Sequence, residues 1–391
     1  MSNTRRSFLK TSGLGLVPAL FPGLPAMAGD FNSDNFDPSN RFVKFYGDGE
    51  LFEPKEYLEI LGQLEVKGLI EKDRYGTGGS VEALEKEMAR RTGKEKAIFL
   101  PSGTMANQLA ISLLSQQRSK VFVQDLSHVY RDEADAAQTV FGKRLVPLGM
   151  NASHFTAKEL IAAVNDLPKQ EVFDAGIGAV SIEHPVRRAD GRMVPMEEIK
   201  AISAFCKSRQ IPLHLDGARL FMASAWSGTS IQAYSQYFDT VYISLYKYLG
   251  AAAGAVLCGP AALINQVPHL IKVHGGAMYG NWTNAAMALH RLEGFENRLE
   301  KSIQVFNAFK AGVEQIKGVQ ITAYPDGTNI YLLTLPAGTD GAAFQKKMRE
   351  RHKIVLGRPD AAGKVQLTVN ETLLYRSTEE LISAFKDGLK V

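Results

Sequence analysis

The chain has 391 residues, 45 Lys and Arg against 41 Asp and Glu, and a formal charge of +4, which excludes both the basic excess of a nucleic-acid binder and the acidic excess of a solvating tail. Hydrophobic residues at 45% and charged residues at 22% exclude a disordered or collagenous chain and predict one substantial core or two, as two compact domains or one large and one small. Cys206 and Cys258 are the only cysteines, too few for a disulfide framework or a zinc site built from sulfur; both are expected as buried free thiols.

Thr4-Arg5-Arg6-Ser7-Phe8-Leu9-Lys10 precedes an apolar stretch from Leu14 to Ala28 that is broken by Pro18, Pro22 and Pro25. The order of basic, apolar and small-residue regions resembles a twin-arginine export signal, with Ala26-Met27-Ala28 at the cleavage position. The stretch is too short and too interrupted for a stable transmembrane helix. Residues 1–28 are therefore expected to be a signal peptide and the mature protein to be periplasmic or secreted, without a membrane anchor. Removal of that segment takes three basic and no acidic residues, leaving a nearly neutral chain whose charge points to no nucleic-acid partner.

A polar stretch from Asp30 to Arg41 follows, and residues 29–75 are assigned to an N-terminal segment. Beyond it, short apolar runs of strand length occur at Lys96–Leu100, Lys120–Gln124, Gly178–Glu183, Ile211–Leu215, Thr240–Ser244 and Gly254–Cys258. Segments with apolar spacing of three or four lie between them: Val81, Leu84 and Met88 form one stripe, with Ser80 as N-cap and Gly93 as stop, and Ile199, Ile202 and Phe205 form another. This alternation predicts an α/β fold with a mostly parallel sheet covered by helices on both faces. Residues 76–290 are assigned to this large domain. A helical stretch from Asn281 to Ile316, interrupted near Gly294, leads into a smaller C-terminal α/β unit within 291–391. Its strands are expected near Val319–Ala323, Asn329–Thr334, Ile354–Leu356 and Val365–Val369, and its helices near Gly341–Arg351 and Thr378–Leu389.

In such folds ligands collect at the carboxyl ends of the strands. The run Ile211 to Leu215 delivers Asp216 there, just before Gly217, and the next strand ends in Ser244-Leu245-Tyr246-Lys247. An aspartate and a lysine on adjacent strand ends suit pyridoxal 5'-phosphate: the lysine amine condenses with the aldehyde, and the aspartate keeps the pyridine nitrogen protonated so that the ring can accept electrons. Pro101-Ser102-Gly103-Thr104 ends a strand and opens a helix, so free backbone N–H groups and two hydroxyls could hold a phosphate. His128, in Ser127-His128-Val129-Tyr130-Arg131-Asp132-Glu133, follows another strand end and could lie flat on a planar ring.

These motifs occur together and in the same order as in threonine aldolases: Tyr75-Gly76 with Ser80 to Glu85, the Pro-Ser-Gly-Thr-Met-Ala-Asn-Gln run from Pro101, Ser127-His128, His214-Leu215-Asp216-Gly217-Ala218-Arg219, and Ser244 to Gly250. The chain resembles that β-eliminating-lyase group within the aspartate-aminotransferase (fold type I) architecture, most specifically at His214 to Arg219. The resemblance implies that Lys247 carries the imine, Asp216 pairs with the pyridinium and His128 stacks on the ring. Ser102, Gly103, Thr104 and Ser244 would hold the phosphate, and Arg219 the substrate carboxylate. It further implies a homodimer or homotetramer and cleavage of a β-hydroxy-α-amino acid: a base takes the β-hydroxyl proton, the Cα–Cβ bond breaks to release an aldehyde, and reprotonation gives glycine.

Several positions depart from that pattern. Phe45-Tyr46-Gly47-Asp48-Gly49 stands where the family opens with Ser-Asp-Thr, Tyr246 and Tyr248 flank the lysine in place of small residues, and Tyr279 follows the Gly-Gly-x-Met segment in place of arginine. Gln366 stands near a carboxylate-clamping arginine, and Ile182 to Arg188 replaces a Glu-Asn-Thr segment. A neutral amide cannot supply a guanidinium fork, so substrate recognition is expected to differ, with Arg187 or Arg188 as a source of the missing charge. Other pyridoxal-phosphate lyases, racemases and aminotransferases share the lysine and aspartate and stay open as readings, as does a non-catalytic exported relative. A metal hydrolase using His214 and Asp216 lacks a third ligand at metal-binding spacing.

Overall fold

The computed structural model describes residues 41–360 and 362–390; the twin-arginine-like segment and nearly all of the polar stretch after it lie outside the described residues. Strand β1 is Val43–Lys44, and seven further strands build the main sheet: β2 (Lys96–Leu100), β3 (Lys120–Gln124), β4 (Arg144–Leu148), β5 (Ile177–Glu183), β6 (Leu213–Asp216), β7 (Thr240–Ser244) and β8 (Ala255–Gly259). Their order is β2-β8-β7-β6-β5-β3-β4. β8 runs antiparallel to both neighbours and every other pairing is parallel. Every residue of β3, β7 and β8 is buried, as expected of strands with helices on both faces.

The helix Gly79–Thr92 buries Val81, Leu84 and Met88 completely and ends on Gly93 in the left-handed conformation, which relieves the steric cost of that turn. Its start differs from the sequence expectation. Gly78 is the N-cap, and the Ser80 hydroxyl instead accepts the Glu71 N–H at 3.0 Å. The chain curls so closely under Gly79 that a Cβ there would lie 2.5 Å from the Glu71 carbonyl, which starts the helix before the hydroxyl. The stripe of Ile199 and Ile202 lies in the helix Met196–Ser208. Cys206 and Cys258 are both buried and unpaired.

The connecting helical stretch is two helices, Trp282–Leu292 and Phe295–Val313, separated at Gly294 with φ of 63°. Beyond it, β9 (Gln320–Ala323), β10 (Ile330–Thr334) and β12 (Lys364–Thr368) form an antiparallel sheet in the order β12-β10-β9. β11 (Ile354–Val355) pairs in parallel with β1. Val43 and Phe45 thus join the C-terminal apolar core with Phe309, Met348, Leu367 and Phe385, far along the chain from where they stand in sequence. Two strands lie outside the apolar runs: β1 has only two residues, and β4 is an edge strand interrupted by Pro147, a position in a sheet where proline is tolerated. Among the described residues no helix is long and apolar enough to cross a membrane.

Candidate active site

The site assembles at the carboxyl edge of β5, β6 and β7 around one amide. His214 and Asp216 alternate onto the same face of β6, against the helix Gly103–Ser115, and both meet its Asn107. The Asn107 amide donates to Asp216 Oδ2 at 2.9 Å and to Glu133 Oε1 at 2.8 Å, and its carbonyl oxygen lies 3.0 Å from His214 Nε2. With both amide hydrogens committed to carboxylates, His214 Nε2 donates to Asn107. Its Nδ1, 2.8 Å from the Thr240 hydroxyl, then accepts. This neutral form agrees with burial pushing the His214 pKa down to about 4 and leaves neither nitrogen for a metal.

Asp216 is 2% exposed, and its second oxygen accepts the Ala218 N–H at 3.1 Å. Beside it in register on β5 stands Glu183, also buried, which accepts the His128 N–H at 2.7 Å and the Arg187 N–H at 2.9 Å. Burial, helped by the Asp216 charge, pushes the Glu183 pKa up to about 7 against those two N–H groups and Arg219. His128 Nδ1 lies 2.9 Å from Glu133 Oε1, a hydrogen bond that raises the imidazole pKa against burial. Ligand-type atoms of His128, Glu133 and Asp216 lie within 4.8 Å of one another. The Asn107 hydrogen bonds already explain that convergence of the two carboxylates.

Lys247 sits in the turn after β7 and is partly buried. Desolvation, then the Arg219 charge, lowers its amine pKa, while Asp216, Asp48 and Glu183 oppose the shift. Arg219 Nε donates to Asp48 Oδ2 at 2.8 Å. Gly49 lets this segment press onto the lysine's neighbour, since a Cβ there would lie 2.6 Å from Tyr248 Cα. Tyr248 is fully buried and stacks on Phe295 at 5.7 Å. Tyr246 is exposed, with its ring centre 5.8 Å from Lys247 Nζ.

A cradle lies at the start of the helix Gly103–Ser115. Ser102 caps it, accepting the Met105 N–H at 3.2 Å. A Cβ on Gly103 would fall 2.0 Å from the Tyr242 hydroxyl, so only glycine lets the helix end reach β7. Tyr242 and Ser244 share a face of β7. The Ser244 hydroxyl is fully buried, with the Tyr242 hydroxyl as a polar side-chain neighbour, so it keeps hydrogen-bonding capacity for a ligand. Thr104 lies one residue inside the same helix end. A buried hydroxyl beside the tyrosine that abuts a helix N-terminus, a pinned carboxylate and a lysine with a depressed pKa fit the phosphate, ring nitrogen and aldehyde of pyridoxal phosphate.

Every position expected from the sequence, namely Ser102, Gly103, Thr104, His128, Asp216, Arg219, Ser244 and Lys247, falls at this edge of the sheet. Sequence pattern assigns no role to Asn107, Glu133, Glu183 and Asp48, although an amide on the otherwise apolar helix face of Ala106, Leu109 and Ala110 is a signal in itself, because buried amides need partners. A cleft of about 530 Å³ opens beside them, lined by Asp48, Arg187, Arg188, Arg219, Gln366 and Thr368 among others. Gln366 donates to Asp190 Oδ1 at 3.2 Å.

The family model described as β-eliminating lyase matches residues 64–335. A low-specificity L-threonine aldolase of Candida albicans is 35% identical over 56% of this chain, an alignment that spans only 58% of that enzyme's length. One from Arabidopsis thaliana is 26% identical over 82% of the chain and 90% of its own length. Among solved structures, a threonine aldolase of Leishmania major superposes with a TM-score of 0.68 at 19% identity, covering 88% of this chain and 98% of that one. A substituted serine palmitoyltransferase from S. paucimobilis with a bound PLP–myriocin aldimine superposes with a TM-score of 0.59 at 16% identity, covering 89% and 86%.

Proposed function

The chain belongs to the β-eliminating lyase family, and we propose that it is an aldolase that uses pyridoxal phosphate to cleave a β-hydroxy-α-amino acid into glycine and an aldehyde. The observation that carries this reading is the pairing, on adjacent strand ends, of buried Asp216 pinned by Asn107 with a Lys247 amine of lowered pKa. When bound, pyridoxal phosphate supplies an aldehyde for an amine and a cationic ring that takes up the electron pair left on Cα.

The protein's own groups do the rest. Burial and Arg219 shift Lys247 toward the free amine, the nucleophilic form. Asp216, with one hydrogen bond fixed on each oxygen, would keep the ring nitrogen protonated. Ser102, Gly103, Thr104 and Ser244 would receive the phosphate, and Arg219 the substrate carboxylate. His128 would cover the ring. Its Nδ1 is committed to Glu133, so Nε2 is the nitrogen able to take the β-hydroxyl proton, directly or through water.

Purified protein supplied with pyridoxal phosphate should gain a visible absorbance band. Borohydride should abolish that band and leave the modification on Lys247, and L-threonine should yield glycine and acetaldehyde. Failure to take up the cofactor, or turnover of serine or a keto acid without glycine from threonine, overturns the reading.

We also propose that residues 1–28 act as a twin-arginine export signal, supported by their three ordered regions. A reporter fused after residue 28 should leave the cytoplasm, and changing Arg5 and Arg6 to Lys should stop it. A homodimer or homotetramer is likewise proposed. It is supported by the exposed, edge-on pair of Tyr75 and Tyr279 and is measurable by light scattering.

A further inference from the structure

Three arginines line the cleft, and their partners differ. Arg219 is mostly buried and bound to Asp48 at 2.8 Å, so part of its charge is already neutralised. Arg188 holds both oxygens of Asp132, from Nε at 2.9 Å and Nη2 at 2.5 Å. The Arg187 guanidinium approaches Asp132 only to 3.7 Å, beyond hydrogen-bond range, and is 54% exposed in the cleft. Its main chain is nevertheless fixed, because the Arg187 N–H donates to Glu183 Oε1 at 2.9 Å and Glu183 is the register partner of Asp216. Across the cleft Gln366 contributes no charge, and its amide nitrogen is taken by Asp190.

We propose that Arg187 is a specificity-determining residue whose guanidinium binds the substrate's α-carboxylate together with Arg219, while Arg188 serves to keep Asp132 from capturing it. The inference rests on the cleft taking an amino acid, as the aldolase reading holds. A carboxylate entering the cleft meets in Arg187 a planar fork whose donors are not engaged by Asp132, and a bidentate pair fixes orientation as well as position. Orientation matters because a reactant held in one pose reaches the reacting groups far more often than one free to turn.

The test uses cofactor-loaded protein and two amines, glycine and methylamine, followed by the absorbance change on binding. For Arg187→Gln the glycine dissociation constant should rise roughly tenfold or more, and methylamine, which has no carboxylate, should bind as to the parent. Arg187→Lys should recover part of the glycine affinity, since it keeps the charge and loses the fork. In kinetics with threonine, KM should rise by more than kcat falls. Unchanged glycine affinity in Arg187→Gln overturns the proposal, and so does equal loss of glycine and methylamine, which would mark a role in folding. If the parent fails to cleave threonine while the glycine dependence on Arg187 holds, the aldolase reading fails and the carboxylate site stands. If the parent cleaves threonine and glycine binding ignores Arg187, the reverse is true.

Discussion

Two side chains at this site separate roles that one position could combine. Replacing His128 with Phe keeps a flat ring over the site and removes the proton acceptor. Turnover of threonine should fall by roughly a hundredfold or more with cofactor affinity nearly unchanged; equal turnover would leave His128 with stacking alone. Glu183 makes a different prediction. In ligand-free folded protein it keeps a proton up to a pH of about 7, whereas a solvated glutamate starts from 4.5. Between those values the folded state binds more protons than the unfolded chain, so this group makes stability fall as pH rises through the interval. Denaturant titrations across that window should show a shallower fall for Glu183→Gln than for the parent. Asp216, Lys247 and His128 were legible because strand ends deliver ligand-binding side chains. Glu183 was not, because its importance comes from a strand neighbour and two main-chain donors that only the register reveals.

Among the elements, the helix Gly103–Ser115 and strand β7 meet over one missing side chain. Gly103→Ala would place a methyl group 2.0 Å from the Tyr242 hydroxyl. Tyr242 is 2% exposed and cannot swing aside, so the helix end should lift away from Ser244. Pyridoxal phosphate affinity is expected to drop roughly tenfold or more as its N–H donors move out of line, measured by fluorescence or absorbance titration; unchanged affinity would remove Gly103 from the cradle. The strands β2, β3 and β7 match the apolar runs of the sequence residue for residue; β3 and β7 are buried throughout, and strands covered on both faces read as near-continuous hydrophobic runs. β4 stands apart because Pro147 interrupts its apolar run, as an edge strand allows. Ser80 failed as a cap for a comparable reason: propensity named the residue, but the curl of Glu71 and Lys72 beneath Gly79 set where the helix begins.

At the scale of the whole molecule, the two ends of the described chain are joined. Phe45 is fully buried against Phe309 and Phe385, with ring centres 5.5 Å and 6.0 Å away, and Asn370 Nδ2 donates to the Lys44 and Gly47 carbonyls. Phe45→Ala should cost about 3 to 5 kcal/mol, read by denaturant unfolding. Because Asp48 and Gly49 follow directly, it should also loosen Arg219 and raise KM for the amino acid. A loss of stability without any change in KM would mean that the clamp on Arg219 is set by Tyr248 alone. The pairing of Val43 with Ile354 and of Lys44 with Val355 has a further consequence for biosynthesis. Val43 and Lys44 wait for a partner translated some three hundred codons later, so the segment that carries Asp48 to Arg219 gains its strand pairing only after Ile354 and Val355 have been made.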